Sequence, residues 1–179
     1  MRIKNTNDRY GIVAVTFHWL MALLVIGLLC VGLYMTSLKI SAQKLQLYGW
    51  HKEFGLLVLF LVIIRLSWRF ININPTLPSS IPAWQRFIAH AVQWALLGFM
   101  IAMPITGWLV TSAAGLAPSF FGLFVLPTLV APDDHLRHVF ADMHEWIAYG
   151  LIATICAHVG AALKHHFIDK DDVLRRMLP

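Results

Sequence analysis

Charge is scarce in this sequence. Asp, Glu, Lys and Arg make up 13% of its 179 residues, against 59% hydrophobic, whereas a soluble domain carries roughly 25% charged residues. That shortage excludes an ordinary soluble protein, and the length suits one compact unit, read here as a single domain over residues 1–179. Cysteine is nearly absent. Cys30 and Cys156 each lie inside an apolar run and at different depths, too far apart to bridge, so both read as small apolar fillers. An extended basic stripe is missing too. The net charge is +5, but the basic residues fall in short clusters between apolar runs, a pattern that meets anionic lipid and excludes nucleic acid as a partner.

What is abundant is apolar length. Four stretches, approximately Val13–Thr36, Trp50–Phe70, Phe87–Thr111 and Met143–Leu163, each reach the ~20 residues a helix needs to cross ~30 Å of hydrocarbon. A single segment crosses with every backbone group paired only as a helix, so the sequence predicts an all-α integral membrane four-helix bundle. The first run follows Arg2, Lys4 and Arg9 as a signal peptide would, but it is far longer than an h-region of ~7–15 residues and reads as a helix that stays. Pro104 falls inside the third span and is expected to kink it.

The connectors differ in kind. Leu38–Leu47 reads as a short polar turn, and Asn72–Arg86, with Pro75, Pro78 and Pro82, as a plain loop. Ser112–Asp142 is long and apolar. Its stretch from Phe120 to Pro127 is too short to cross and is broken by Gly and Pro, so it is expected to lie at the interface as an apolar flap between helices three and four. The tail from Lys164 reads as a charged amphipathic cap. Lys and Arg set orientation. Arg2, Lys4, Arg9, Arg65, Arg69, Arg86, Lys164, Lys170, Arg175 and Arg176 gather on the side of the termini, against Lys39, Lys44, Lys52 and Arg137 on the other. Both termini are therefore expected in the cytoplasm (N-in, C-in), with the flap outside.

Histidine carries the chemistry. Of nine, His18, His51, His90, His144 and His158 lie within or at the ends of the apolar runs, where an ionisable residue is costly and marks a function by default. Depth sorts four of them into two levels: His51 with His144 outside, His18 with His158 inside. His144 and His158 are 14 residues apart, and 14 steps of ~100° return to within ~40° of one direction, ~21 Å along the axis. Helix four thus turns both imidazoles to one side. The same step leads from His18 to Gly32 and from His51 to Arg65. Gly32 and Gly55 are expected to clear space for a flat macrocycle, and Arg65 to meet a propionate.

A lone membrane histidine is more often an interhelical hydrogen-bonding group. Four at two matched depths are hard to produce that way. Zinc or copper would draw more ligands at each level, whereas two imidazoles per level suit the axial positions of a porphyrin iron inside a four-helix bundle. No C-x-x-C-H sequence occurs, so two non-covalent haem b groups are expected. His90 stands at the inner level with both axial positions already claimed. Its expected role is a packing or propionate contact, or proton handling beside a quinone. His135, His138, His165 and His166 read as solvated or headgroup residues, and the tryptophans near the run ends as interface anchors.

These residues resemble the bacterial cytochrome b561 family, which is related to the membrane cytochrome b subunits of Ni-hydrogenases. The resemblance rests on Thr16-Phe17-His18-Trp19-Leu20, on His51 with Gly55, Arg65 and Arg69, and on His90 with Pro104 and Gly107. It continues through His144-Glu145, His158 and the tail from His165 to Asp172. It implies an N-in, four-helix, di-haem b, quinone-linked cytochrome of the inner membrane. Such proteins are similar to superoxide oxidases, which take an electron from periplasmic superoxide and reduce ubiquinone. An outward haem under the flap, with Lys52 and Arg137 near it, would attract a small anion. The rival expectation is a haem-bearing anchor that relays electrons for a separate redox partner protein. The extra helix and long loops usual in hydrogenase subunits are missing, which disfavours that rival.

Overall fold

The computed structural model describes residues 2–76, 78 and 81–178. Four long helices dominate: α1 (Ile12–Ser37), α2 (Ala42–Ile71), α3 (Ala83–Ala113) and α4 (Asp134–Lys164). Each is long and apolar enough to cross a membrane, and most side chains along them remain open to the surroundings rather than buried in protein. That is the composition of helices whose outward faces meet lipid. The chain is an integral membrane four-helix bundle.

Every helix outruns its apolar span, and α2 and α4 begin at polar side-chain caps. Ser41 starts α2, its hydroxyl accepting from the Lys44 amide at 3.2 Å, and Asp133 starts α4, its carboxylate accepting from Leu136 at 2.9 Å. The turn expected over Leu38–Leu47 therefore shrinks to residues 38–41. Helix four begins nine residues before Met143, so His135 and His138 belong to its exposed first turns and not to the flap. Helix three runs continuously through Pro104.

The flap spans residues 114–133 and holds a β-hairpin in an otherwise helical protein. Strand β1 (Ser119–Phe120) pairs antiparallel with β2 (Phe124–Val125), matching Ser119 with Val125 and Phe120 with Phe124. The turn between them needs positive φ at Phe121 (49°) and Gly122 (71°), cheap for the glycine and strained for the phenylalanine. Phe121 is held by edge contacts with Phe54 of α2 and Phe120, ring centres 5.2 and 5.0 Å apart. The Trp108 indole donates to the Pro127 carbonyl at 2.9 Å, the Leu129 amide to Ser112 Oγ at 3.1 Å, and the Asp133 amide to the Ala113 carbonyl at 2.9 Å. These bonds fasten the flap onto the end of α3.

The opposite end gathers both termini and the α2–α3 connector. Asn5 donates to the Ile73 carbonyl at 2.8 Å, and the Thr76 amide to the Asn7 carbonyl at 3.2 Å. Arg176 donates to the Thr76 carbonyl at 2.6 Å, and the Trp19 indole to the Met177 carbonyl at 2.7 Å. Past α4, the tail winds through a π turn (His165–Asp169) and a 3₁₀ turn (Arg175–Met177). His165 and His166 are half-buried there, not solvated. His165 Nδ1 lies 2.6 Å from an Asp171 oxygen and 3.2 Å from an Asp169 oxygen.

Close packing follows chain order: α1 on α2, α2 on α3, α3 on α4. Met21 and Val25 of α1, Val58 and Val62 of α2, Leu97 and Met100 of α3 and Leu151 of α4 form the buried cluster. Three of these sit at heptad midpoints. Val25 is seven residues from His18 and from Gly32, Val58 seven from His51 and from Arg65, and Leu151 seven from His144 and from His158. Seven steps of ~100° fall within ~20° of one direction, so the core forms a layer between the two histidine levels.

Candidate functional site

Four histidines meet in two pairs. At the flap end, His51 of α2 faces His144 of α4, ring centres 6.2 Å apart and planes at 75°. At the terminal end, His18 of α1 faces His158 of α4, also at 6.2 Å, with planes at 62°. All four rings are half-buried. Helix α4 supplies one imidazole to each pair, as the 14-residue spacing expects, and it meets α1 and α2 across gaps wider than those between chain neighbours. The spacing fits a shared metal. Two metal–nitrogen bonds of about 2.0–2.1 Å, with about an ångström more to each ring centre, sum to about the separation found. It is too long for a simple imidazole–imidazole hydrogen bond.

Two glycines let the flap-end rings approach the helices. A Cβ on Gly32 would stand 3.3 Å from His51 Cε1, and one on Gly107 3.4 Å from His144 Cε1. Gly32 thus lets the His51 imidazole lie close against α1. Gly55 has open space around it. Gly107 and Thr106 of α3 were not read as site residues from sequence, although Gly107 belongs to the quoted motif. Buried Thr106 brings its hydroxyl within 2.9 Å of His144 Nδ1. His51 Nδ1 is buried with no partner among the described residues.

The terminal end is rich in donors. Arg65 Nη2 lies 3.4 Å from His18 Nδ1, and Nη1 3.9 Å from the Met21 sulfur. No carboxylate pairs with Arg65 among the described residues. Arg69 lies over the Trp94 ring, 5.1 Å from its centre. Tyr10, just before α1, has a pKa raised by burial, against the opposing pull of Arg69, Arg65 and Arg176. Its phenol therefore keeps its proton and remains a donor. His90 lies on an exposed face of α3, two turns into the helix. At the flap end Arg137 is engaged with Asp134 at 3.0 Å, while half-buried Lys52 has no ion pair among the described residues.

A membrane-spanning helical bundle with imidazoles paired at two depths has the construction of a membrane cytochrome. Comparison with known proteins agrees. A profile of the prokaryotic cytochrome b561 family matches residues 9–179. The Escherichia coli (strain K12) protein "Cytochrome b561 homolog 2" is 37% identical over 99% of this chain and 95% of its own length. "Cytochrome b561 homolog 1" of the same organism is 32% identical over 96% and 98%. A Yersinia pestis protein described as "Probable superoxide oxidase CybB" is 27% identical over 97% of each. The chain belongs to the prokaryotic cytochrome b561 family: it is a bacterial membrane electron-transfer protein that binds haem b.

Proposed function

We propose that this chain is a single-domain di-haem cytochrome of the inner membrane, with both termini cytoplasmic, carrying electrons from a periplasmic one-electron donor to the quinone pool. The observation that carries the reading is the pair of imidazole–imidazole separations, each 6.2 Å, on a common helix. His51 and His144 hold the outer haem, His18 and His158 the inner one. Haem b supplies the one-electron chemistry that side chains lack. The excess of Lys and Arg at the terminal end supports the orientation.

Arg65 deepens the reading at the inner level. A guanidinium only donates, so a bond to His18 Nδ1 requires that nitrogen bare and Nε2 protonated, the tautomer unable to bind metal through Nε2. A haem propionate that draws Arg65 toward itself removes the conflict, with the Tyr10 hydroxyl and Arg69 as further donors to the same anionic edge. The 3.4 Å contact is long enough to be surrendered easily.

Superoxide is the favoured donor. A small anion suits a flap end where Lys52 has no ion pair among the described residues, and one similar protein is described as a probable superoxide oxidase. Two superoxide anions each lose one electron and leave as dioxygen, while one quinone takes up two electrons and two protons. To His90 we assign proton exchange with that quinone, an assignment its exposed position supports.

The pyridine haemochrome assay is expected to give about two b haems per chain. Replacing His51 or His144 by Ala is expected to erase one spectral component, and replacing His18 or His158 the other. One haem per chain, or loss of the same component from His18→Ala and His51→Ala, would overturn the pairing. In vesicles containing ubiquinone, a superoxide source is expected to yield quinol. Failure to do so, with a redox protein co-purifying, would favour a relay subunit instead.

A further inference from the structure

The two imidazole pairs differ in what faces their second ring nitrogens, and this difference identifies a residue with a specific task. Thr106 is 5% exposed in the C-terminal third of α3, and its hydroxyl has three neighbours. The Met103 and Ala102 carbonyls lie at 2.9 and 3.0 Å, and His144 Nδ1 at 2.9 Å. A hydroxyl has one proton. Both carbonyls can only accept, so that proton is drawn into the helix, and spending it on His144 would leave two lone-pair contacts uncompensated. Toward His144 the hydroxyl is therefore the acceptor, and the imidazole donates from Nδ1. In a neutral imidazole a proton on Nδ1 leaves Nε2 bare. Bare Nε2 is the ligand form.

Among the described residues no other ring of the site meets a hydroxyl: His51 Nδ1 has no partner there, and His18 Nδ1 faces the donor-only Arg65. Gly107, the next residue along α3, lets the His144 ring lie against the helix at that position. Thr106 and Gly107 together make one fixed seat, while His51 is located by packing against Gly32.

We propose that Thr106 is the positioning residue of the outer haem: it locks His144 in the tautomer that binds iron through Nε2 and increases the basicity of that ligand. This inference rests on the assignment of His144 as an axial ligand. An acceptor on the far nitrogen makes the ligand a stronger electron donor and favours the oxidised metal, so Thr106 holds the outer haem's potential down. Arg65, a cation, acts oppositely at the inner level, which inclines electrons inward.

The test is Thr106→Val, nearly isosteric but without the hydroxyl, with Thr106→Ser as the conservative control. Redox titration and low-temperature EPR are performed on detergent-purified holoprotein. Thr106→Val is expected to keep two haems and to raise the potential of the component that His144→Ala removes. The full net value of one hydrogen bond sets the ceiling of the shift, about a tenfold change in the reduced-to-oxidised ratio at fixed poise, or about 59 mV for a one-electron couple. The EPR signal of that component shifts with it, the other component stays fixed, and Thr106→Ser restores both. Unchanged potentials and spectra in a two-haem Thr106→Val protein overturn the proposal, as does an equal shift of both components. Should Thr106→Val not assemble, Thr106→Ser and Thr106→Ala are compared by the same titration, and equal outer potentials in those two are equally fatal. A His144→Ala protein that keeps both haems would instead refute the underlying ligand assignment.

Discussion

Single residues in this bundle earn their places through short-range geometry. Arg65 is the sharpest instance, a half-buried cation whose hydrogen-bonding neighbours among the described residues are the His18 nitrogen and the Met21 sulfur. Leaving such a charge unanswered in the membrane is costly, and the alternative is an arginine that snorkels to the headgroups. Replacing it with Leu is expected to lower the inner haem's potential and weaken its retention, since a propionate loses its neutralising partner. Optical redox titration and haem content after detergent washing measure this, and an unchanged inner component would sink the pairing. The four paired histidines and Arg65 were legible in the sequence because a 14-residue step is visible without coordinates. Thr106 was not. A threonine in an apolar helix ordinarily bonds its own turn, and only a fold that lays α4 on α3 reveals its second contact. The closeness of the His51 ring to Gly32 was not legible either, because sequence gives the direction of a helix face but not the distance to the ring opposite.

At the scale of elements, the spans were readable from apolar length and their ends were not. Residues such as Asp133, Asp134 and Arg137 lower hydropathy, yet they begin α4 by capping and first-turn charge. The hairpin escaped notice because strands of two residues have no period to detect, and its turn puts a phenylalanine at positive φ. The heptad layer of Val25, Val58 and Leu151 follows from the same 14-residue step halved. It lets one helix, α4, serve both levels while the middle of the bundle stays closed. Leu151 is 3% exposed in that layer, so Leu151→Ala is expected to destabilise the protein by about 2–5 kcal/mol through lost contacts and a cavity. Both haems should remain, since neither pair loses a ligand. Thermal loss of the Soret absorbance is the measurement, and an unaltered transition would show that the layer is not packed as described.

At the scale of the whole molecule, the two ends of the bundle are closed in different ways. A folded hairpin fastened to α3 closes one. The other is closed by three chain segments remote in sequence: the N-terminal stretch, the α2–α3 connector and the C-terminal tail. That the termini share an end was legible from an even number of spans, but that they bond to each other was not, because short polar segments carry no pattern of pairing. The tail's tie matters for the site. Trp19 donates its indole proton to Met177, and its ring stands edge-on to His18 with centres 5.2 Å apart. Arg176 holds the same tail segment to Thr76. Ending the chain after Leu174 removes both hydrogen bonds, together worth about 1–3 kcal/mol if each has an ordinary net value. Trp19 is already 40% exposed, so without Met177 it is free to swing away from the imidazole. The truncated protein is expected to show an altered potential or EPR line for the component that depends on His18 and His158. The component that depends on His51 and His144 should be unchanged, because the heptad layer separates the two levels. Changes of equal size in both components would mean that the tail acts on general stability, and no change in either would mean that Trp19 holds its position without it.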